Sequence, residues 1–343
     1  MVNAILRCSN KNVLFVTTKQ LSYIRNNQEL NLLVQNANSV LIAGSNNKSY
    51  IMRILSAYIL SIFYCMLKKI DVVFVGFAPQ LMYPLFWLYK LQKRPLVIDF
   101  FISLYDTFVC DRKKFSSNNL IAKFMHWLDC KTIQSVNFYI TDTKAHKEYF
   151  VSEFSASNDK GETLYLKANT DIYHKKDIQR PSYLKNKYLV LYFGSILPLQ
   201  GVEIILKAIR KMRAYSDIHF IMIGPIDKKY NKPQTDNVTY FEWLNEEQLA
   251  DYIEMADLCL AGHFSSTIGK ANRTIPGKVY IYKAMNKKVV FGDSSANREL
   301  FVENDENIFV ARGDAKALAK CIYNMYLKEY GVKDESFIYR SSI

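Results

Sequence analysis

Residues 260–300 read LAGHFSSTIGKANRTIPGKVYIYKAMNKKVVFGDSSANREL. A short apolar strand, Asp257–Leu260, runs into a polar, basic loop. The loop enters a helix expected to begin near Lys278, after the Pro276-Gly277 break. A second strand follows at Val289–Phe291, then a turn and a short helix that ends near Glu299. Strand, crossover helix and strand form the repeating unit of a parallel sheet, and the loops at strand ends are where such sheets bind ligands. Lys270, Arg273 and Lys278 fall just before or at a helix start. Free backbone N–H groups and the helix dipole favour an anion there, a phosphate among them. A loop charge cluster is also commonly just solvated, and the sequence leaves both readings open.

The same alternation extends in both directions. Upstream, strands are expected at Val13–Val16, Val40–Ala43, Val72–Val75, Leu96–Phe100, Phe138–Thr141 and Thr163–Leu166. Helices are expected at Ser49–Lys68, Pro79–Leu91 and Leu120–Ser135. The stretch from Lys167 to Lys187 is polar and lacks sustained periodicity, which marks a domain boundary. A second series then begins, with strands at Tyr188–Phe193, His219–Ile223, Val238–Phe241 and Ile308–Val310. Helices are expected at Val202–Met212, Asn245–Met255 and Ala315–Lys328, the last with apolar residues every three to four positions. The 343-residue chain fits two domains. The fold class is therefore α/β, two Rossmann-like domains facing across a cleft. The expected division is 1–168, a linker at 169–186, a second domain at 187–330, and a segment at 331–343 returning to the first domain.

Half the residues are apolar and 22% are charged, a composition that builds real cores. Six cysteines show no CxxC, and five histidines form no HExxH, so reduced thiols and no metal site are expected. No basic head and apolar core precede the first strand, so a cytoplasmic protein without a signal peptide is expected. Ile51–Leu67 approaches the length of a membrane span but carries Arg53 and small residues. A buried or surface-lying helix is expected instead. The net charge is +13, and residues 1–180 hold 23 Lys and Arg against 13 Asp and Glu. The basic runs MLKK, LYKLQKR and DRKK are interleaved with aromatics. An anionic membrane face or a solvated basic surface fits this pattern. No nucleic-acid module signature appears, so no nucleic-acid partner is expected.

Individual positions carry further candidates. Gly194-Ser195 and Gly224, each just past a strand, would let a backbone approach a diphosphate, or simply make tight turns. His263 at a strand end is a candidate sugar or phosphate contact. Ser294, Ser295, Ala296 and Asn297 offer backbone N–H groups, and Glu299 a carboxylate for sugar hydroxyls. In the first half, Asp99 at a strand end and Asp106 seven residues on are candidates to orient or deprotonate an acceptor hydroxyl. Gly76 marks the equivalent end of another strand. There is no GxGxxG, no Walker A loop and no DxD, which argues against dehydrogenase, ATPase and motif-bound metal readings.

Five segments in order resemble glycosyltransferase family 4, the retaining, nucleotide-sugar-dependent enzymes with the two-domain GT-B fold. They are YFGSILPLQGVEIILKAI, FIMIGP, YFEWLNEEQLADYIEMADLCLAG, IPGKVYIYKAMNKKVVFGD and SANREL. DVVFVGFAPQ and PLVIDFFISLYDTFVCDR look like acceptor-domain segments. The resemblance implies a first domain for the acceptor and a second for a UDP- or GDP-linked sugar, without a metal cofactor. It places Lys278 and Arg273 at the phosphates, Gly194 and Ser195 at the diphosphate, and Glu299 at the sugar or ribose. It implies a glycan or lipid-linked acceptor in bacterial surface-polysaccharide assembly, and a protein peripheral to the membrane. Two departures stand out. Gln200 occupies the position before Gly201 where the family often has Lys, and Ile281, Tyr282 and Lys283 stand where it often has Glu. Two other functions are compatible with the scaffold: a sugar phosphorylase, and a nonenzymatic subunit that binds glycans or lipid headgroups.

Overall fold

The computed structural model describes residues 3–227 and 229–330. The expected returning segment, 331–343, lies outside them. The chain divides between Lys167 and Ala168 into two compact units.

In the first unit a short helix, α1 (Asn3–Leu6), precedes β1 (Asn12–Val16). Then follow α2 (Ile24–Asn36), β2 (Ser39–Ala43), α3 (Tyr50–Leu67) and β3 (Val72–Val75). A 3-10 run, Pro79–Leu85, leads into α4 (Phe86–Leu91) and β4 (Leu96–Asp99). The unit continues through α5 (Leu120–Gln134), β5 (Phe138–Thr141), α6 (Lys144–Phe154) and β6 (Gly161–Thr163). The six strands form one parallel sheet in the order β2-β1-β3-β4-β5-β6. Alternate strand residues serve its two faces. Val13, Phe15, Phe74 and Val97 pack with Ile5 and Leu33 on one side. Leu14, Val16, Val75 and Ile98 pack with Ala57, Phe86 and Phe150 on the other. Right-handed crossovers require this division. The chain steps left once, from β1 to β2, and right thereafter. Hence α2 lies on one face and α3 to α6 on the opposite one.

The second unit contains β7 (Tyr188–Phe193), α7 (Val202–Lys211), β8 (Ile218–Ile223), β9 (Val238–Phe241), α8 (Glu246–Met255) and β10 (Leu258–Leu260). It continues with α9 (Lys270–Arg273), α10 (Gly277–Ala284), β11 (Lys288–Gly292), α11 (Ser295–Leu300), β12 (Asn307–Val310) and α12 (Ala315–Tyr330). Its sheet is also parallel throughout, in the order β12-β11-β10-β7-β8-β9. Ile205, Ile209 and Met212 of α7 and its C-terminal cap pack with Leu318 and Ile322 of α12 over Val190, Phe220 and Leu258. Both units are Rossmann-like α/β domains, the domain type of the GT-B fold. Strand order reverses between β1 and β3 in the first and between β7 and β10 in the second. These switch points leave a crevice at the carboxyl ends of the strands.

Several elements differ from expectation. The last strand of the first unit is Gly161–Thr163, not Thr163–Leu166. Gly161 lies opposite Tyr139, and a Cβ there would sit 2.4 Å from the Tyr139 ring, so only glycine brings the edge strand this close. Pro79–Leu91 is not one helix, because Pro84 withholds an N–H and the first half stays 3-10. The polar stretch after Lys167 is fastened to the second unit. Lys176 pairs with Asp251 at 2.8 Å, and Arg180 with Asp257 at 2.6 Å.

Candidate functional site

The switch-point crevice of the second unit is built around Lys278. Pro276 caps α10 and Lys278 enters its first turn, which aims the side chain back toward the end of β7. The residue is buried, and its Nζ donates a 2.6 Å hydrogen bond to Gln200 Oε1. The ammonium also lies 4.5 Å from the centre of the Tyr192 ring. Two glycines form its walls. A Cβ on Gly194 would approach the Lys278 side chain to 3.1 Å, and one on Gly262 would reach Nζ at 2.9 Å and Gln200 Oε1 at 2.2 Å. Both glycines have positive φ, 136° and 83°. Burial without a carboxylate partner lowers the Lys278 pKa to about 7. The site is thus a buried, readily charged amine at the place where an open α/β sheet meets its ligand.

Neighbouring residues hold this geometry. Gly224, with φ 139°, packs so closely on Gly194 that a Cβ would fall 2.2 Å from the Gly194 carbonyl oxygen. A 3-10 turn at Pro198–Gln200 leads into α7 through Gly201, whose missing Cβ admits the backbone of Phe264 and Ser265. Leu199 packs with Ile268 and Ala271, which fixes the basic loop against this turn and sets Gln200 beside Lys278. Ser195 is exposed at the mouth.

His263 occupies the left-handed region at φ 57°, beside Gly262. It is buried, and its Nδ1 lies 2.9 Å from the Thr274 carbonyl oxygen, so that ring nitrogen ties the end of β10 to the connection between α9 and α10. Lys270 and Arg273 bracket the one-turn helix α9 and are half-buried. The Arg273 guanidinium folds over Gly269, where a Cβ would be 2.7 Å from Nη1.

Beyond β11, the expected row of donors is partly spent on the fold. The Ser294 hydroxyl accepts from the Asn297 N–H at 3.1 Å, and the Ser295 N–H donates to Asn272 Oδ1 at 3.2 Å. Asn297 is buried and donates its amide to the Gly292 carbonyl at 2.9 Å. Ala296 is buried as well. The Ser295 and Asn297 backbone donors are thus engaged in an inter-helix tie and a helix cap. Glu299 is half-buried on α11.

In the first unit, Asp99 ends β4 fully buried. Both its oxygens accept from the Arg25 guanidinium at 2.9 Å. Glu29 lies 3.3 Å from Arg25, and burial together with the Asp99 carboxylate pushes its pKa well above the ordinary range. The Asp99 carboxylate is thus engaged in a buried ion pair with Arg25. Gly76 lies against Glu29, where a Cβ would be 3.2 Å from Oε2. Asp106 is buried at the start of a π-helical turn, with Oδ2 3.9 Å from His146 Nε2. His146 Nδ1 lies 2.6 Å from Asp142. Asp106 therefore joins an internal His–Asp cluster that sequence reading did not single out.

Three other residues of the Lys278 site were not assigned from sequence: Gln200, Gly262 and Tyr192. Gln200 was visible only as a departure from the family pattern. Gly262 carried the same signal as Gly194, a glycine just past a strand. A pocket of about 410 Å³ lined by Lys187, His219 and Asn237 lies at the amino end of β8, away from this crevice. Among the described residues, no group of three His, Cys, Asp or Glu side chains is placed to hold a metal ion.

No curated protein matches the chain by sequence. Solved structures resemble it over nearly its full length. HepE from Anabaena, in complex with UDP, matches with a TM-score of 0.61 at 14% identity, covering 96% of this chain and 93% of that one. Sucrose-phosphate synthase from Thermosynechococcus elongatus gives 0.63 at 10% identity, covering 96% and 94%. A glycosyltransferase from Rickettsia africae gives 0.58 at 13% identity, covering 93% and 88%. The second domain, over residues 187–328, matches the sequence model of the family described as glycosyl transferases group 1.

Proposed function

We propose that the chain is a glycosyltransferase that binds a nucleotide-diphosphate sugar at the β7–β10 crevice. It transfers the sugar to a hydroxyl of a glycan or lipid-linked glycan in bacterial surface-polysaccharide assembly. The observation that carries this reading is Lys278, a buried amine walled by glycines and set at the switch point of a domain that matches the glycosyl transferase family model. The solved structure of HepE with UDP supports a uridine donor; a guanosine donor is the other candidate.

In this reading Lys278 faces the donor diphosphate, with Arg273 and Lys270 on the adjoining turn and Gly194-Ser195 against the phosphates. Positive charge fixed in a dry site stabilises the leaving diphosphate without reorganising at the moment of reaction. Glu299 holds hydroxyls on the sugar or ribose side. The acceptor oxygen bonds to the anomeric carbon on the face from which the diphosphate leaves, and its proton passes to the departing phosphate oxygen. Configuration is retained. No metal is required in this scheme, because the cations are side chains.

The test is thermal stabilisation by UDP, GDP and their sugar conjugates, followed by analysis of the product's anomeric configuration. Lys278→Ala should abolish nucleotide stabilisation and lower turnover by roughly 100-fold or more. Donor binding and turnover near wild type would overturn the assignment. The absence of a carboxylate at Ile281 favours a second reading, a nonenzymatic glycan-binding subunit. Nucleotide stabilisation without turnover of any nucleotide sugar would support it.

A further inference from the structure

Helix α3 is built inside out. The residues it turns toward the sheet are Arg53, Ala57, Ser61 and Cys65, small or polar. Tyr58, Leu60 and Tyr64 pack partly against the core at its flanks, and most of its other large apolar side chains point away. Ile59 is 65% and Met66 73% exposed, and Ile51, Leu55, Phe63 and Leu67 share the outer surface. An ordinary crossover helix is polar on that side. Among the described residues this is the one helix long and apolar enough to cross a membrane, with a mean hydropathy of 1.7. It does not span here. Its ends feed β2 and β3 of one sheet, and Arg53 ties its first turn to the carbonyls of Thr18, Asn47 and Lys48.

The apolar surface continues past α3. The Tyr58 hydroxyl donates to the Leu81 carbonyl at 2.7 Å, which joins α3 to the 3-10 run. Tyr83 of that run meets Trp127 of α5 edge to face, at 6.3 Å. Trp87 and Leu91 of α4 and Leu120, Phe124 and Trp127 of α5 are all exposed. Helices α3, α4 and α5 thus present one contiguous apolar face. Such a face on a folded domain marks a binding surface.

Its charge is one-sided. Lys68, Lys69, Lys90, Lys93 and Lys123 stand exposed on the same helices and their ends. Residues 49–135 contain five carboxylates, and none is exposed. Asp99, Asp106, Asp111 and Asp129 are buried, and the half-buried Asp71 accepts from the Asn12 N–H. A two-fold dimer through this face would set lysines against lysines with no acid to pair them. A surface that supplies both apolar depth and negative headgroups matches it instead.

We propose that α3, α4 and the start of α5 form a docking face that lies in the headgroup layer of an anionic lipid bilayer. Ile59, Phe63 and Trp127 enter the acyl boundary, and the lysine rim contacts the lipid phosphates. The proposal stands independently of the donor assignment, and it names where a lipid-linked acceptor would be met.

The test is co-sedimentation of the full chain with vesicles of phosphatidylglycerol and phosphatidylcholine, against pure phosphatidylcholine. Trp fluorescence is read in a Trp243→Phe background, which leaves only Trp87 and Trp127, both on this face. The expected result is binding to the anionic vesicles that weakens with salt, and a blue shift of both tryptophans. Ile59→Asp with Phe63→Asp should weaken binding by at least about 10-fold while leaving circular dichroism and nucleotide stabilisation unchanged. No binding to anionic vesicles at low salt, or binding undiminished in the double variant, would overturn the proposal. So would a wild-type dimer that the double variant converts to a monomer, since the partner would then be a second copy. Nucleotide stabilisation in the same samples reports on the donor site separately.

Discussion

Lys278 is an amine that burial leaves only partly charged near neutral pH. Burial lowers its pKa to about 7, and donor phosphates held beside it, as proposed, would raise it. In the proposed role, the ammonium is the form that binds the donor phosphates. Donor affinity is therefore constant below about pH 7. It weakens roughly tenfold per pH unit as pH rises through the free pKa, until the bound pKa is reached. Calorimetry with a nucleotide sugar, in buffers of different ionisation enthalpy, should detect proton uptake just above neutrality. The folded-state pKa lies below the unfolded one, so this lysine costs stability at and below neutral pH, and the cost shrinks as pH rises toward the unfolded value. Lys278→Met should raise the melting temperature at pH 7 by at least about 2 °C while abolishing nucleotide stabilisation. Gly262→Ala forces a side chain into Gln200 and Lys278 at a φ that L residues avoid. It should cost about 1–3 kcal/mol in urea titrations and abolish the nucleotide response. Lys278 was legible in the sequence because Pro276-Gly277 announces a helix start. Gln200 was not, since its meaning depends on a partner 78 residues away. A lysine at position 200 would set two cations against each other in a buried site, whereas the glutamine oxygen accepts from the one that is there.

At the scale of elements, the strands were legible because parallel strands are apolar on both sides. β3, β5, β7 and β9 fall where the apolar runs predict. Helices α2 and α6 were missed, and the reason for α2 is plain. Its buried residues are Arg25, Asn26, Glu29 and Leu33, so the helical stripe that faces the core is largely polar and shows no apolar period. α3 has the same inversion with the opposite appearance: apolar nearly all round, but anchored by its small residues. Ala57 and Ser61 are fully buried, so enlarging them tests the packing. Ser61→Leu should overfill the interface and cost about 1–3 kcal/mol by denaturant titration, while polar changes on the outer face should cost less than about 0.5 kcal/mol. Asn245 and Gln248 form a capping box at the start of α8. Asn245→Ala should cost about 1 kcal/mol in the same measurement.

At the scale of the whole molecule, every group assigned to the donor crevice, from Gly194 to Glu299, belongs to the second unit. Residues 168–343 alone should fold and be stabilised by UDP to an extent close to the full chain, without transfer activity. A fragment that fails to respond while the full chain does would show that the first unit completes the donor site. The two-domain plan was legible from the polar stretch after Lys167. The sealing of Asp99 was not, because its ion pair with Arg25 joins residues 74 positions apart. That unit is complete by Lys167. At about 5–20 residues per second, a ribosome needs roughly 10–35 s to finish the rest of the chain. A first unit that folds as it emerges would expose the outer side of α3 while the nascent chain is still tethered. If α3 docks as proposed, polysomes translating this protein should co-sediment with anionic membranes, so that one helix would set the site of synthesis as well as the site of action.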